Sequence, residues 1–456
     1  MPWGHGGDHF ATTFPALRRP APGPAARHQR HRRHGRRRRH SVVRLDDGVG
    51  DGSSFAAPEI EQFIIDTAQP PYDLSVTFTA NNSGQGRFDF GNGTVDYAVS
   101  DIPYQGVAFD PVQPSFAFDY VPVTAAGVGF MYHLSGLPSG TTLRLSSSSI
   151  CSIFTGAVSS WDSPVIQADN PGIALPDTTI RPVIREDLAG TNFVLQQYCI
   201  DEQPALWAAF IDALATQQYP GQVGDLSATQ ARSDWPLFSG AISTSSAPNA
   251  ADAVANPNDD GFITAIEPAY ASQRLLPVAS VKNRDGDYVQ PTPLDVESAL
   301  VYSSQRAHGI QRLDFNGAGP NVCNPSTYSY MLVPTTGADP AMGAVLSEFL
   351  DYALTLGQQK APSIGFAPLS PSLDRFGLHE VRRDIPGAVG LTPSEQTALR
   401  CGHLSIKDVR RGRNAPSCDP APPAATPEAP WALALPVGAV TMTALAFWRR
   451  RRLVHH

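Results

Sequence analysis

The sequence predicts an α/β protein of two domains followed by a single C-terminal membrane helix. Three observations predict it. The chain has 456 residues, enough for two hydrophobic cores. From Gly48 onward short β-like runs alternate with helical stretches, the mark of an α/β chain. Near the end, Ala429 to Trp448 carry no charge. A helix of that length spans about 30 Å, the thickness of a bilayer's hydrocarbon core.

Residues 1–46 form a basic segment without an apolar core. Residues 1–44 hold eleven Arg and one acid, Asp8. A body outside the cytoplasm calls for a signal peptide with an apolar run of roughly 7–15 residues, and this segment shows none. It reads either as a disordered arm for nucleic acid or anionic lipid, or as sequence ahead of a later true start. The second reading is preferred, and no function is drawn from the segment.

In the body, helices are predicted over 58–67, 193–198, 204–216 and 341–356. The last carries Val345, Leu346, Phe349, Leu350, Ala353 and Leu354 at a helical period. Strands are predicted over 74–78, 97–99, 128–132, 180–184 and 330–333. Beyond the body, 396–414 is an extension and 415–430 holds six prolines, a semi-rigid extended stalk. The membrane helix is 431–448, with Trp431 and Trp448 at its edges. Arg449 to Arg452 follow and mark 449–456 as a cytoplasmic tail. Pro436 is compatible with a span. The expected placement is a single-pass protein of the cell membrane, with its body extracytoplasmic and its C-terminus inside.

The formal net charge is −8. Because so many Arg lie at the two ends, the body between them is strongly acidic. That excludes nucleic acid as its partner, since a phosphate backbone needs Lys and Arg. The five cysteines form no CxxC pair. Outside the cytoplasm, Cys401 and Cys418 are close enough to suggest a local disulfide. The odd count leaves at least one cysteine unpaired or paired between chains. The sequence shows no metal-ligand cluster, no Ser-His-Asp arrangement and no P-loop spacing ending in Gly-Lys-Ser/Thr, so neither a cofactor, a metal nor catalysis is expected.

Three polar segments stand out. Gly48 to Phe55 is a Gly-rich turn running into a helix, with Ser54 placed as its N-cap. A helix N-terminus exposes unpaired N–H groups and partial positive charge, and so binds anions. Asn82 to Gly86 is a small-residue turn, followed by a run that ends at Asp101. Arg185 to Thr191 supplies a cation, a flexible Gly190 and a Thr at a helix start.

Taken in order, GDGSSF (50–55), NSGQG (82–86), YAVSD (97–101) and REDLAGT (185–191) resemble the motifs of the phosphate-binding proteins of the phosphate ABC importer, the PstS-like family. The stretches 150–177, 261–271 and 288–299 are similar to that family as well. The resemblance covers about 48–385. It implies a type II periplasmic-binding-protein fold, two lobes with a hinge and ligand between them. Lobe I would be 48–123 with 310–395, and lobe II 124–309. The ligand set it implies is Ser54 and Phe55 through backbone N–H, Ser83, Asp101, Arg185, Ala189, Gly190 and Thr191. Asp187 would brace Arg185. Ala189 departs from the family's Ser, so one hydroxyl donor is lost, a contact worth about 1.5–3 kcal/mol to a charged group.

The chemistry is coherent on its own. Phosphate near neutral pH still carries a proton, which the Asp101 carboxylate would accept. Sulfate has none to offer and would meet that carboxylate with like charge, so specificity comes from a repulsive element. Dipoles and one Arg do the binding, so an acidic body is no obstacle. The expected function is capture of inorganic phosphate and delivery to an ABC permease. The competing reading is a surface-anchored sensor or adhesin on the same fold, binding another oxyanion or no ligand.

Overall fold

The computed structural model describes residues 48–399 apart from 107–109 and 217–226. The basic segment, the stalk, the 431–448 helix, the tail, and Cys401 with Cys418 lie outside the described residues. No helix among the described residues is long and apolar enough to cross a membrane.

The chain is mixed α/β, built on two main sheets. The first begins with β1 (Gly48–Gly52), α1 (Ala57–Thr67) and β2 (Val76–Ala80), and the two strands pair in parallel. Then come α2 (Ser83–Gly91) and β3 (Tyr97–Ser100), which pairs with the other side of β1. Parallel neighbours need such helical crossovers. β4 (Phe118–Gly127) lies at the far edge, and the strand Ser326–Pro334 fills the place between β3 and β4, antiparallel to both. The core of this sheet gathers Ile60, Phe63, Tyr97, Val121, Phe349 and Leu350.

The second sheet starts at β5 (Gly129–His133) and continues through strands Phe262–Ile266, Arg181–Arg185 and Ile242–Thr244, in that spatial order. Phe130, Trp161, Ile184 and Trp207 centre its core. The chain thus passes between the sheets at 127–129 and returns before Ser326. The two passages touch, for the Val128 N–H donates to the Pro325 carbonyl at 2.8 Å.

Several elements differ from the sequence reading. Gly48–Gly52 is a strand, not a turn, because its backbone pairs on both sides. Asn82 to Gly86 opens a helix. The Asn82 side chain accepts from the Gln85 N–H at 2.7 Å and caps it, which outweighs the low helix propensity of the two glycines. Ser54 is not an N-cap. Ala56 holds that position, and the hydroxyl that takes the first N–H groups is Ser53's, from Phe55 at 3.1 Å and Ala56 at 3.2 Å. The predicted 341–356 helix runs as Pro340–Ala353 and a separate short helix, Leu356–Lys360. A disulfide joins Cys151 to Cys199, a pairing the sequence reading did not single out. Cys323 is buried and unpaired.

Candidate functional site

Asp101 follows β3 and is nearly inaccessible, at 5 % exposed. Three serines from three segments donate to its carboxylate. Ser53, in the link from β1 to α1, reaches Oδ1 at 2.6 Å. Ser329, on the late strand Ser326–Pro334, reaches the same oxygen at 2.7 Å. Ser83, the first residue of α2, reaches Oδ2 at 3.1 Å, and its Oγ accepts the Asp101 N–H at 3.1 Å. Burial raises the Asp101 carboxyl above its ordinary value, and the hydroxyls of Ser53, Ser329 and Ser83, together with the Arg185 cation, offset part of that rise.

Opposite lies the second-sheet side. Arg185 ends its strand 3 % exposed and is gripped by Asp187 through two bonds, Nε to Oδ1 at 2.9 Å and Nη2 to Oδ2. That is the bracing expected of Asp187. The helix Gly190–Glu202 begins just after, with Ala189 as an N-cap that offers no side-chain bond. Among the described residues no acceptor takes the N–H groups of Gly190 or Thr191. Gly190 presses on Asp101: an added Cβ would stand 2.3 Å from Oδ2. Gly84 does the same against Leu188, where a Cβ would fall 2.2 Å from the leucine's own. Its N–H donates to the Leu188 carbonyl at 2.9 Å. These glycines permit backbones to approach at distances no side chain allows.

The structure therefore brings Ser54, Phe55, Ser83, Asp101, Arg185, Asp187, Ala189, Gly190 and Thr191 to one junction. Ser54 is fully buried and its Oγ has no partner among the described residues, so it is a donor in reserve. Its carbonyl accepts from the Tyr270 hydroxyl at 2.7 Å, another tie across the two sheets. The Phe55 N–H, expected for ligand, here donates to Ser53. A buried carboxylate ringed by hydroxyl donors, facing a helix start and a braced arginine, can hold a small tetrahedral anion that keeps one proton.

Sequence reasoning missed Ser53, Ser329 and Tyr270. The serine doublet 53–54 was a signal for the first. Ser329 is 228 residues from Asp101 and left no local trace. It also missed two fully buried carboxyls, Glu59 in the first turn of α1 and Glu267, the N-cap of helix Pro268–Gln273. A cavity of about 680 Å³ opens beside Asp101, lined among others by Phe193, Tyr302, Arg306, Arg312 and Tyr330.

Comparison with known proteins identifies relatives of the chain as a whole. A family profile described as the PBP superfamily domain matches residues 44–355. The "Phosphate-binding protein PstS" of Xylella fastidiosa is 25% identical over 325 residues, covering 71% of this chain and 82% of the relative. "Phosphate-binding protein PstS 3" of Mycobacterium leprae is 24% identical, covering 70% and 82%. Among solved structures, a phosphate-binding protein from Stenotrophomonas maltophilia superposes with a TM-score of 0.50 at 17% identity, over 73% of this chain and 93% of that one. A high-affinity periplasmic phosphate-binding protein (PfluDING) bound with phosphate gives 0.53 at 17%, over 76% and 100%. With the profile matching well over half its length, and PstS proteins among its relatives, this chain belongs to the PBP superfamily.

Proposed function

We propose that the protein captures inorganic phosphate between two lobes and delivers it to an ABC permease. The observation that carries this is Asp101, an inaccessible carboxylate held by serine hydroxyls and pressed against the helix start at Gly190. A carboxylate there accepts the proton of phosphate and repels sulfate. The Gly190 and Thr191 N–H groups, the Ser54 hydroxyl and Arg185 supply donors for the remaining oxygens, while the Ser83 hydroxyl proton stays directed at Asp101. We place the lobe boundary where the chain changes sheet, at 127–129 and 324–326, rather than at 123 and 310. The touching passages there are the hinge about which the lobes close on ligand. Such a receptor needs no catalytic group, and the curated relatives carry binding-protein names.

Titration calorimetry of the full-length protein with phosphate and with sulfate tests the reading. Binding of phosphate with sulfate ignored supports it; no heat from either ligand sinks it. We further propose that residues 431–448 cross the cell membrane and the proline-rich stalk holds the body outside, as the uncharged run and its Arg flank support. Full-length protein should then sediment with membranes and a chain cut before Ala429 should not. A soluble full-length protein would refute the anchor.

A further inference from the structure

We propose that Ser53 and Ser329 act as positioning residues that keep Asp101 ionised, and that this hydroxyl clamp, rather than the carboxylate alone, sets the preference for phosphate over sulfate. The inference rests on the phosphate-receptor reading and concerns the same site.

Burial by itself favours the neutral form of a carboxyl. A neutral Asp101 would be a hydrogen-bond donor, and a donor welcomes sulfate as readily as phosphate. What opposes this is visible in the bonds. Ser53 Oγ already accepts two N–H groups, from Phe55 and Ala56. Both its lone pairs are engaged, so its proton has only Asp101 Oδ1 to go to, at 2.6 Å. A second hydroxyl, Ser329, donates to the same oxygen at 2.7 Å. With two donors aimed at it, Oδ1 has no room for a proton of its own. Oδ2, which receives one serine and lies against Gly190, is left to meet the ligand.

The strand Ser326–Pro334 carries Ser329 beside β3, and its register against β4 skips Val123 between Ser329 and Tyr330. The extra residue is on β4, so the strand bearing Ser329 runs regularly past the site while its outer neighbour bulges. The other charged or titratable groups around Asp101 are Arg185, held by Asp187, and Tyr330, whose hydroxyl accepts the Gln311 N–H. Asp201, Arg306, Arg312 and Asp314 line the adjoining cavity.

Sulfate is the clean probe, because its own charge does not change in the range used. Sulfate and phosphate affinities of the full-length protein are measured by titration at roughly pH 8 and pH 5.5, for wild type, Ser329→Ala and Ser329→Thr. Loss of one hydroxyl from a charged acceptor should let Ser329→Ala gain about tenfold or more in sulfate affinity on acidification. Wild type and Ser329→Thr should stay unresponsive to pH. Ser53→Ala, carrying the same expectation, serves if Ser329→Ala does not fold. Sulfate binding by the alanine variant that ignores pH as wild type does would overturn the inference. Failure of wild type to bind phosphate would instead overturn the receptor reading beneath it.

Discussion

Gly190 has no space for a side chain, since a Cβ would sit 2.3 Å from the Asp101 carboxylate. Gly190→Ala must push the helix start away from Asp101, and with it the Gly190 and Thr191 N–H groups. Two charge-assisted bonds are then weakened at about 1.5–3 kcal/mol each, so phosphate affinity should fall by roughly a hundredfold or more. Titration of the variant measures this, and an unchanged Kd would show that these donors do not hold the ligand. Ala189 points the other way. It is the N-cap of the same helix and lacks a capping side chain. Ala189→Ser restores a cap and offers the missing hydroxyl, and should tighten phosphate binding by about tenfold. Equal affinities for the two proteins would mean that the lost hydroxyl was not limiting.

The helices Ser147–Phe154 and Gly190–Glu202 are stapled by Cys151–Cys199, 48 residues apart in sequence. Opening a loop of that length releases about 4 kcal/mol of unfolded-state entropy. The double variant Cys151→Ala/Cys199→Ala should lose stability of that order, read as a lowered urea midpoint with a steeper slope, because the uncrosslinked unfolded chain exposes more surface. An unaltered midpoint would show that core packing alone fixes these helices. At the cavity mouth, Arg306 and Arg312 are exposed. Reversing Arg312 to Glu should slow phosphate association, more so at low salt, while leaving dissociation nearly unchanged; stopped-flow rates that ignore the substitution would remove Arg312 from the approach path. Much of the fold was legible at this scale. The Pro340–Ala353 helix announces itself by period, and the site segments by their order. What was not legible depends on distant partners. Asn82 to Gly86 looks like a turn until Leu188 and Gly52 explain why its glycines sit in a helix. Ser329 is invisible until a strand from the far end of the chain slots in beside β3. Cysteine spacing alone favoured 401 with 418, because nothing local marks 151 and 199 as neighbours.

At the scale of the whole molecule, two carboxyls, Glu59 and Glu267, lie out of reach of water. Neither oxygen of Glu59 has a hydrogen-bond partner among the described residues, and only one of Glu267 does, from the Ala269 N–H at 2.7 Å. Burial raises both carboxyls well above the ordinary glutamate value, and the nearness of Glu267 adds to the rise at Glu59. The folded protein therefore binds more protons than the unfolded chain. Stability from this source is complete below the unfolded value and is lost as pH climbs towards the raised one. Glu59→Gln should accordingly melt higher than wild type at roughly pH 8.5, with the gap closing near pH 5. Identical melting curves at alkaline pH would show that Glu59 is not a burden on the fold. One further consequence follows from the place of the strand Ser326–Pro334 between β3 and β4. As the chain is made, its first sheet has a slot that only a much later segment can fill. The second sheet, complete by Thr244 and Ile266, can settle while synthesis continues. The half of the protein that is made first is thus the half that finishes last, and Asp101 waits for Ser329 until nearly three quarters of the chain has emerged.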